Sequence, residues 1–486
     1  MPGAADGSVV VLTGTGDYLK LAQLMASALN SISGGGNLVS SSVASGSAIP
    51  AAPGDGKTTE LIVVGAGAAA ANTPAGYNYV VNVATFADTI SASNSQLLSG
   101  DMGGYFFLSG TSTIAATGGD NIVSAGGSYM VSTGAGNDTI FGNGTGTIAG
   151  GDGTNIMVAT GGGGNFIISA GVNDLVVDAS GNATVQALGN GTGILGSGNA
   201  TDSLTVSIFG DQATLSAGAA QASVTISGNN GVIFGGSGSL KVSVSGSNDT
   251  VAAGSGPATI VASSSALVFG AAGGTMQFVG GAGTSTLVGG TGGTEQVTIG
   301  AGGIAFGAGT NNHSTITSGI GQATIFGGSG SVVNFVGNQL GGAIFVAGSG
   351  NETLNAAGSS TNNTFNSNSI ASASQTFIGG TGNDTMIAGA GAATLTGGAG
   401  ADAFAFFNQA TQGKADVITD FDATKDSVYI IGYDSTKSAS FLQNNATGPA
   451  IAGTGLGVTL TLSDSTTITF SNLSSASQLN GKILYG

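Results

Sequence analysis

The chain has no cysteine, no tryptophan and no arginine, a single histidine, and charged side chains at only 6% of its 486 positions. Each scarcity excludes something. Without cysteine, disulfides cannot hold the fold, so metal and stacking must replace them if the protein works outside the cell. His313 alone cannot build HExxH, which needs two histidines, and a Ser-His-Asp triad would have to use this one residue in the turn-like GTNNHSTIT. Seven lysines against 24 acidic residues, a net charge of −17, exclude the basic patches that nucleic acid and anionic membranes require. The same balance predicts an acidic, soluble surface neutralised by calcium.

Long apolar runs are missing as well. The longest, LIVVGAGAAAA at 61–71, falls short of the roughly 20 residues of a membrane span. An outer-membrane barrel needs strands of about ten residues and aromatic girdles, whereas the strand-like units here run to about five. The opening MPGAADGSVVVLTGTGD has neither the basic nor the apolar region of a secretory leader, so any export is expected to use another signal.

What the chain has is glycine, at 92 positions, beside 41% hydrophobic residues and a mean hydropathy of +0.34. That is too much apolar surface for a disordered chain. Large apolar residues recur every 9–10 positions or so: Ile140, Ile148, Met157, Ile167, Val176, Val185 and Ile194, then Val224, Ile233, Val242, Val251, Ile260 and Val268. Phe377, Met386, Leu395 and Phe404 extend the series. Short strand-like units such as ATIVAS and ATIFGG close on Gly, Ser or Asn, residues that tolerate tight corners. The pattern predicts an all-β fold, a parallel β-roll or β-solenoid rod over 115–405, with about 19 residues per rung and about 15 rungs.

Two nonapeptides stand out, GGTGNDTMI at 379–387 and GGAGADAFA at 397–405. They match G-G-x-G-x-D-x-U-x, the glycine-rich calcium repeat, through Gly379, Gly380, Gly382 and Asp384, and through Gly397, Gly398, Gly400 and Asp402. Two nonapeptides make one turn of a β-roll, so the eighteen-residue spacing puts Asp384 and Asp402 on one edge, a strand apart. One Ca²⁺ can be shared there. The intervening AGAGAATLT has Ala393 in place of aspartate, which leaves the opposite edge without an ion. Elsewhere Asn155 and Ser285 replace the aspartate, sparing stacked carboxylates their mutual repulsion. Asp120 and Asp138, also eighteen apart, form a further candidate pair. Asp420, Asp422 and Asp426 form an acidic loop, read as solvated rather than as a third site.

The ends differ from the middle. Residues 1–114 read as a cap or assembly region, with Asp17 capping a helix in which Leu21, Leu24, Met25, Ala28, Leu29 and Ile32 recur at helical spacing. Tyr77, Tyr79, Tyr105 and Phe106 form a local aromatic concentration there. Residues 406–486 read as a C-terminal cap, with antiparallel strands at 456–473.

The stretch from 379 to 434, in which the last nonapeptide runs into an aromatic strand and then DVITDF, resembles the RTX family of secreted repeat proteins. The resemblance implies Ca²⁺ as ligand, folding on calcium outside the cell, and an uncleaved C-terminal signal for type I secretion. Two intact repeats separated by a degenerate one are fewer than the family's usual run. Polysaccharide-acting enzymes occur in the family, but this chain lacks clustered carboxylates backed by lysine or arginine. The expected role is structural: a non-enzymatic extracellular or cell-surface protein that assembles with itself, head to tail or laterally, into a filament, biofilm matrix or surface layer. The alternatives are a carbohydrate-binding or adhesive module whose partner is a surface polysaccharide, or an RTX-type polysaccharide-acting enzyme. Neither nucleic acid nor membrane insertion is expected.

Overall fold

A computed structural model describes residues 19–44, 47–64, 70–161, 165–337, 342–367, 372–408, 414–433, 446–447 and 457–486. Half of the protein is strand and 4% is helix. It divides into two compact units, Met1–Gly246 and Ser247–Gly486. Each is a parallel β-solenoid, and together they carry about 19 turns.

In the first unit, parallel pairing begins with Leu38–Ala44 against Thr58–Val64, well before residue 115, where the repeat pattern becomes legible. A typical rung has two short strands, Leu175–Asp178 and Asn182–Ala187, each paired with its counterpart one rung later. Burial alternates along them because a strand sends successive side chains to opposite faces. Val123, Ile140, Met157, Val176, Ile194 and Leu215 thus form one inner column, all buried. Ile148, Ile168, Val185, Val206 and Val224 form the facing one. Ile167, expected inside, lies 53% exposed, and its neighbour Ile168 takes the inner place. The other apolar residues of the predicted series are buried.

The helix Leu19–Gly34 is present, and Asp17 lies outside the described residues. Ala22, Met25 and Leu29 pack on Tyr79, Val81, Leu98 and Ala115. Val80, Leu97 and Ile114 beside these residues are themselves fully buried. The helix therefore covers a flank of the first sheet. Leu24 and Ala28, predicted on its apolar side, face away and are exposed.

The second unit repeats the architecture with an aromatic core. Phe345 stacks on Phe365 with ring centroids 4.5 Å apart, Phe335 meets Phe345 edge-on at 5.8 Å, and Phe365 lies 5.4 Å from Phe377. Near the C-terminus Val458–Thr461 runs antiparallel to Thr467–Phe470. Thr467–Phe470 also pairs in parallel with Ala415–Ile418, and Ile483–Tyr485 with Ser427–Ile431.

Candidate metal centre

The acidity of this protein is largely internal, contrary to the acidic surface that its net charge suggests. Among the described residues thirteen carboxylates are buried, including Asp138, Asp174, Asp178, Asp384, Asp402 and Asp426. Buried carboxylates demand donors or a counter-charge. The two units meet that demand differently.

In the first unit, the residues leading successive strands stack as a column on one edge: Asn121, Asp138, Asn155 and Asp174. Each passes its backbone N–H to the side chain one rung on. Asn121 N donates to Asp138 Oδ1 at 2.7 Å, Asp138 N to Asn155 Oδ1 at 2.9 Å, and Asn155 N to Asp174 Oδ1 at 2.8 Å. The amides of Asn121 and Asn155 add Nδ2 bonds to the carboxylates of Asp138 and Asp174, at 2.8 and 3.0 Å. Charged and neutral groups alternate. Asp120 is not in this column. The rungs from Asn121 to Asn155 advance by 17 residues, so Asp120 sits in the exposed turn and accepts the N–H of Asn137 at 2.8 Å. The structure does not bring Asp120 and Asp138 together as a shared site. Burial nevertheless pushes Asp138 up to about 6, with a small contribution from the charge of Asp120.

The second unit runs its column through both nonapeptides: Asn363, Asp384, Asp402 and Asp426. Asn363 N donates to Asp384 Oδ1 at 2.6 Å, Asp384 N to Asp402 Oδ1 at 2.7 Å, and Asp402 N to Asp426 Oδ1 at 2.9 Å. After Asn363 there is no amide side chain, so three carboxylates stack in succession. Gly380 N completes Asp384 through Oδ2 at 2.8 Å. The equivalent donor in the next repeat, Gly398 N, turns instead to Asp420 Oδ2, also at 2.8 Å, and Gly397 N takes Asp420 Oδ1. Asp402 Oδ2 is left buried with no hydrogen-bond partner. Burial, then the charges of Asp426, Asp384 and Asp420, push Asp402 up to about 6.

The glycines of the two repeats stack as the motif requires. Gly398 and Gly400 hold φ of +93° and +143°, in the region that favours glycine. A Cβ on either would strike the carbonyl oxygen of Gly380 or Gly382 one rung below. Gly379 and Gly397 lie against the Oδ2 atoms of Asp384 and Asp402, where a side chain would displace the carboxylate. Carboxylate oxygens and glycine carbonyls are the donor set a hard cation takes. The residues present therefore fit Ca²⁺, and the partnerless Asp402 Oδ2 is the atom that asks for it.

The opposite edge has a different solution. Ala393, which stands where a repeat aspartate is missing, gives its N–H to Asp416 Oδ1 at 2.9 Å. Asp416 is fully buried and paired with Lys414 at 3.2 Å, so an internal ammonium supplies the cation. The acidic loop expected to be solvated divides into three environments. Asp426 is buried in the column, Asp420 closes the Gly397–Gly398 turn, and half-buried Asp422 accepts the N–H and hydroxyl of Thr424. Among the described residues no three of His, Cys, Asp or Glu gather at one metal-sized point. His313 opens the strand His313–Thr317, exposed on its outer face.

The outer faces complete the picture. On one sheet of the first unit, two rows run from Tyr105 to Val232 and from Phe107 to Phe234 without a charged residue. Tyr105, Phe107, Ile122, Phe141, Ile156 and Leu195 on these rows are 41–48% exposed. The facing sheet presents Thr184, Thr205, Ser223 and Lys241 in register. In the second unit one face carries Phe269, Val288, Phe326 and Ile344, and the other carries Gln277, Gln296, Thr315 and Asn334. The aromatic concentration near the N-terminus does not form a surface platform, since Tyr77, Tyr79 and Phe106 are buried. No protein-family model matches this chain, and no curated protein is similar to it.

Proposed function

We propose that this chain is a secreted, calcium-binding structural protein that assembles with copies of itself outside the cell, as a filament, matrix or surface layer, without catalysing a reaction. Asp384 and Asp402 would hold the ion together with carbonyls of the Gly379–Gly382 and Gly397–Gly400 turns, and Asp420 and Asp426 would add negative charge. Bound Ca²⁺ supplies the positive charge that Lys414 supplies to Asp416. Asp384 and Asp402 orient their carboxylates through the rung N–H groups, and the glycines keep side chains out of the ion's place.

The observation that carries assembly is the apolar, uncharged outer face. Soluble monomers rarely leave so extended an apolar surface in water. Flat rows at rung spacing suit a second copy of the same rows, because like copies meet there without bringing charge to the contact. The test is sedimentation of the full chain at pH 7.5 in millimolar Ca²⁺. The unmodified protein should assemble, and Phe107→Lys/Phe141→Lys should remain monomeric with unchanged melting. An unmodified chain that stays monomeric at high concentration would refute assembly. Exposed Tyr105, Phe107 and Phe141 also suit stacking on sugar rings, and polysaccharide binding by such a monomer would favour the adhesive reading.

A further inference from the structure

The structure points to a second cation site, in the first unit and independent of the nonapeptides, in the corner where Asp178 and Asp202 meet. Asp178 ends the strand Leu175–Asp178, whose burial alternates so that Val176 and Asp178 both point inward. It is 1% exposed, and neither of its carboxylate oxygens has a hydrogen-bond partner. No other described buried carboxylate lacks partners on both oxygens. Glu295, Glu352, Asp384 and Asp416 each accept at least one hydrogen bond.

Asp202 leads the strand Ser203–Ile208 one rung on, across the same corner. It is held in a built setting. Its Oδ2 accepts the N–H of Gly181 at 2.9 Å and the hydroxyl of Ser197 at 2.6 Å, and Oδ1 accepts Asn199 Nδ2 at 3.1 Å. Those donors fix one carboxylate in place and leave its neighbour bare. Among the described residues no basic side chain forms an ion pair with either acid. Burial first, and the charge of Asp202 second, push Asp178 up to about 7.

Protonation alone does not resolve this corner. It would remove the charge of Asp178 but leave a buried carboxylic O–H and C=O with no partner, a costly arrangement. A cation answers both oxygens at once and offsets the repulsion from Asp202. The candidate ligands are the two carboxylates and the Ser197 hydroxyl, with no histidine or cysteine among them, which selects a hard ion. The asymmetric setting, with one free carboxylate and one already hydrogen-bonded, suits the variable coordination of Ca²⁺ better than the octahedron Mg²⁺ requires.

Equilibrium dialysis with Ca²⁺ at pH 7.5 tests this in the full chain carrying Asp384→Ala/Asp402→Ala, so the C-terminal site cannot answer for it. That background should retain one Ca²⁺, and adding Asp178→Asn should remove it while circular dichroism stays unchanged. No bound Ca²⁺ in the background, or the same stoichiometry with Asp178→Asn, overturns the site. Amide hydrogen exchange of the background decides even if Asp178→Asn fails to fold. Ca²⁺ should slow exchange at Gly181 and across 196–202, and identical exchange with and without the ion is the contrary result.

Discussion

The Asx columns of the two units have the same backbone geometry and opposite electrostatics. Each passes a strand-leading N–H to a side chain one rung on, at 2.6–2.9 Å. In the first unit Asn155 separates Asp138 from Asp174 and Asn121 precedes Asp138, so no two carboxylates of the column are adjacent. In the second, Asp384, Asp402 and Asp426 follow one another. Carboxylates one rung apart, at about 4.8 Å, repel by roughly 3 kcal/mol at an effective dielectric near 20. An asparagine turns that repulsion into a hydrogen bond, and a lysine or an ion cancels it. Position in the column is therefore dictated by the backbone, while the need for a cation depends on whether neutral and charged residues alternate.

The internal lysine offers the largest contrast. Lys414 and Asp416 are both buried, and removing one member of a buried pair leaves an uncompensated charge. Lys414→Ala should cost about 3–5 kcal/mol in denaturant unfolding. Millimolar Ca²⁺ should not restore it, because Asp464, whose charge reaches Asp416, is already held by the Tyr433 hydroxyl and the Thr466 N–H. Full rescue by Ca²⁺ would show that lysine and ion are interchangeable here, and that the two edges differ less than their residues suggest.

Much of this fold was legible because a strand's period of two and a rung's repeat leave independent marks on the sequence. The inner columns follow from the recurring Val, Ile and Met, and the Asp384/Asp402 register from eighteen-residue spacing. The misreadings have local causes. In NFIISA three consecutive apolar residues hide the phase, and buried Phe166 and Ala170, not Ile167, set it. Asp120 and Asp138 share a spacing but not a role, since GGDNIV leads its strand with Asn121 and GNDTIF leads with Asp138. The shorter, 17-residue rung makes eighteen the wrong interval there. Asp178 belongs to no motif in VVDAS, and only its parity with Val176 places it inside. The theft of the Gly398 N–H by Asp420 had no sequence signal, because it depends on how the chain returns after the last repeat.

Converting one column into the other sharpens the comparison. Asn155→Asp places a third carboxylate between Asp138 and Asp174, reproducing the run of the second unit. It also removes the Asn155 Nδ2 bond to Asp174. The metal-free variant should lose about 3 kcal/mol or more, from the repulsion between adjacent rungs. Melting in millimolar Ca²⁺ should recover part of the loss, since the new column has the carboxylate neighbours that an ion bridges. An equal loss with and without Ca²⁺ would mean that alternation is not what frees the first unit from metal.

The smallest change is Asp138→Asn, which completes the neutral side of the same column. Asp138 is pushed up to about 6, chiefly by burial, against an ordinary value of 3.8. Between those values the native protein keeps a proton that the unfolded chain has released, so stability falls as pH rises from about 4 to about 6 and stays low above that. Asparagine keeps the Oδ1 that accepts the N–H and amide of Asn121. Its amide nitrogen can reach the hydroxyl of Thr133, whose own proton goes to the Gly150 carbonyl. The substitution should therefore stabilise the protein at pH 7.5 by about 1–2 kcal/mol, and the gain should shrink to nothing by about pH 4. Melting curves of both proteins across that range provide the measurement. A gain that persists undiminished at pH 4 would trace the effect to packing and not to the buried charge.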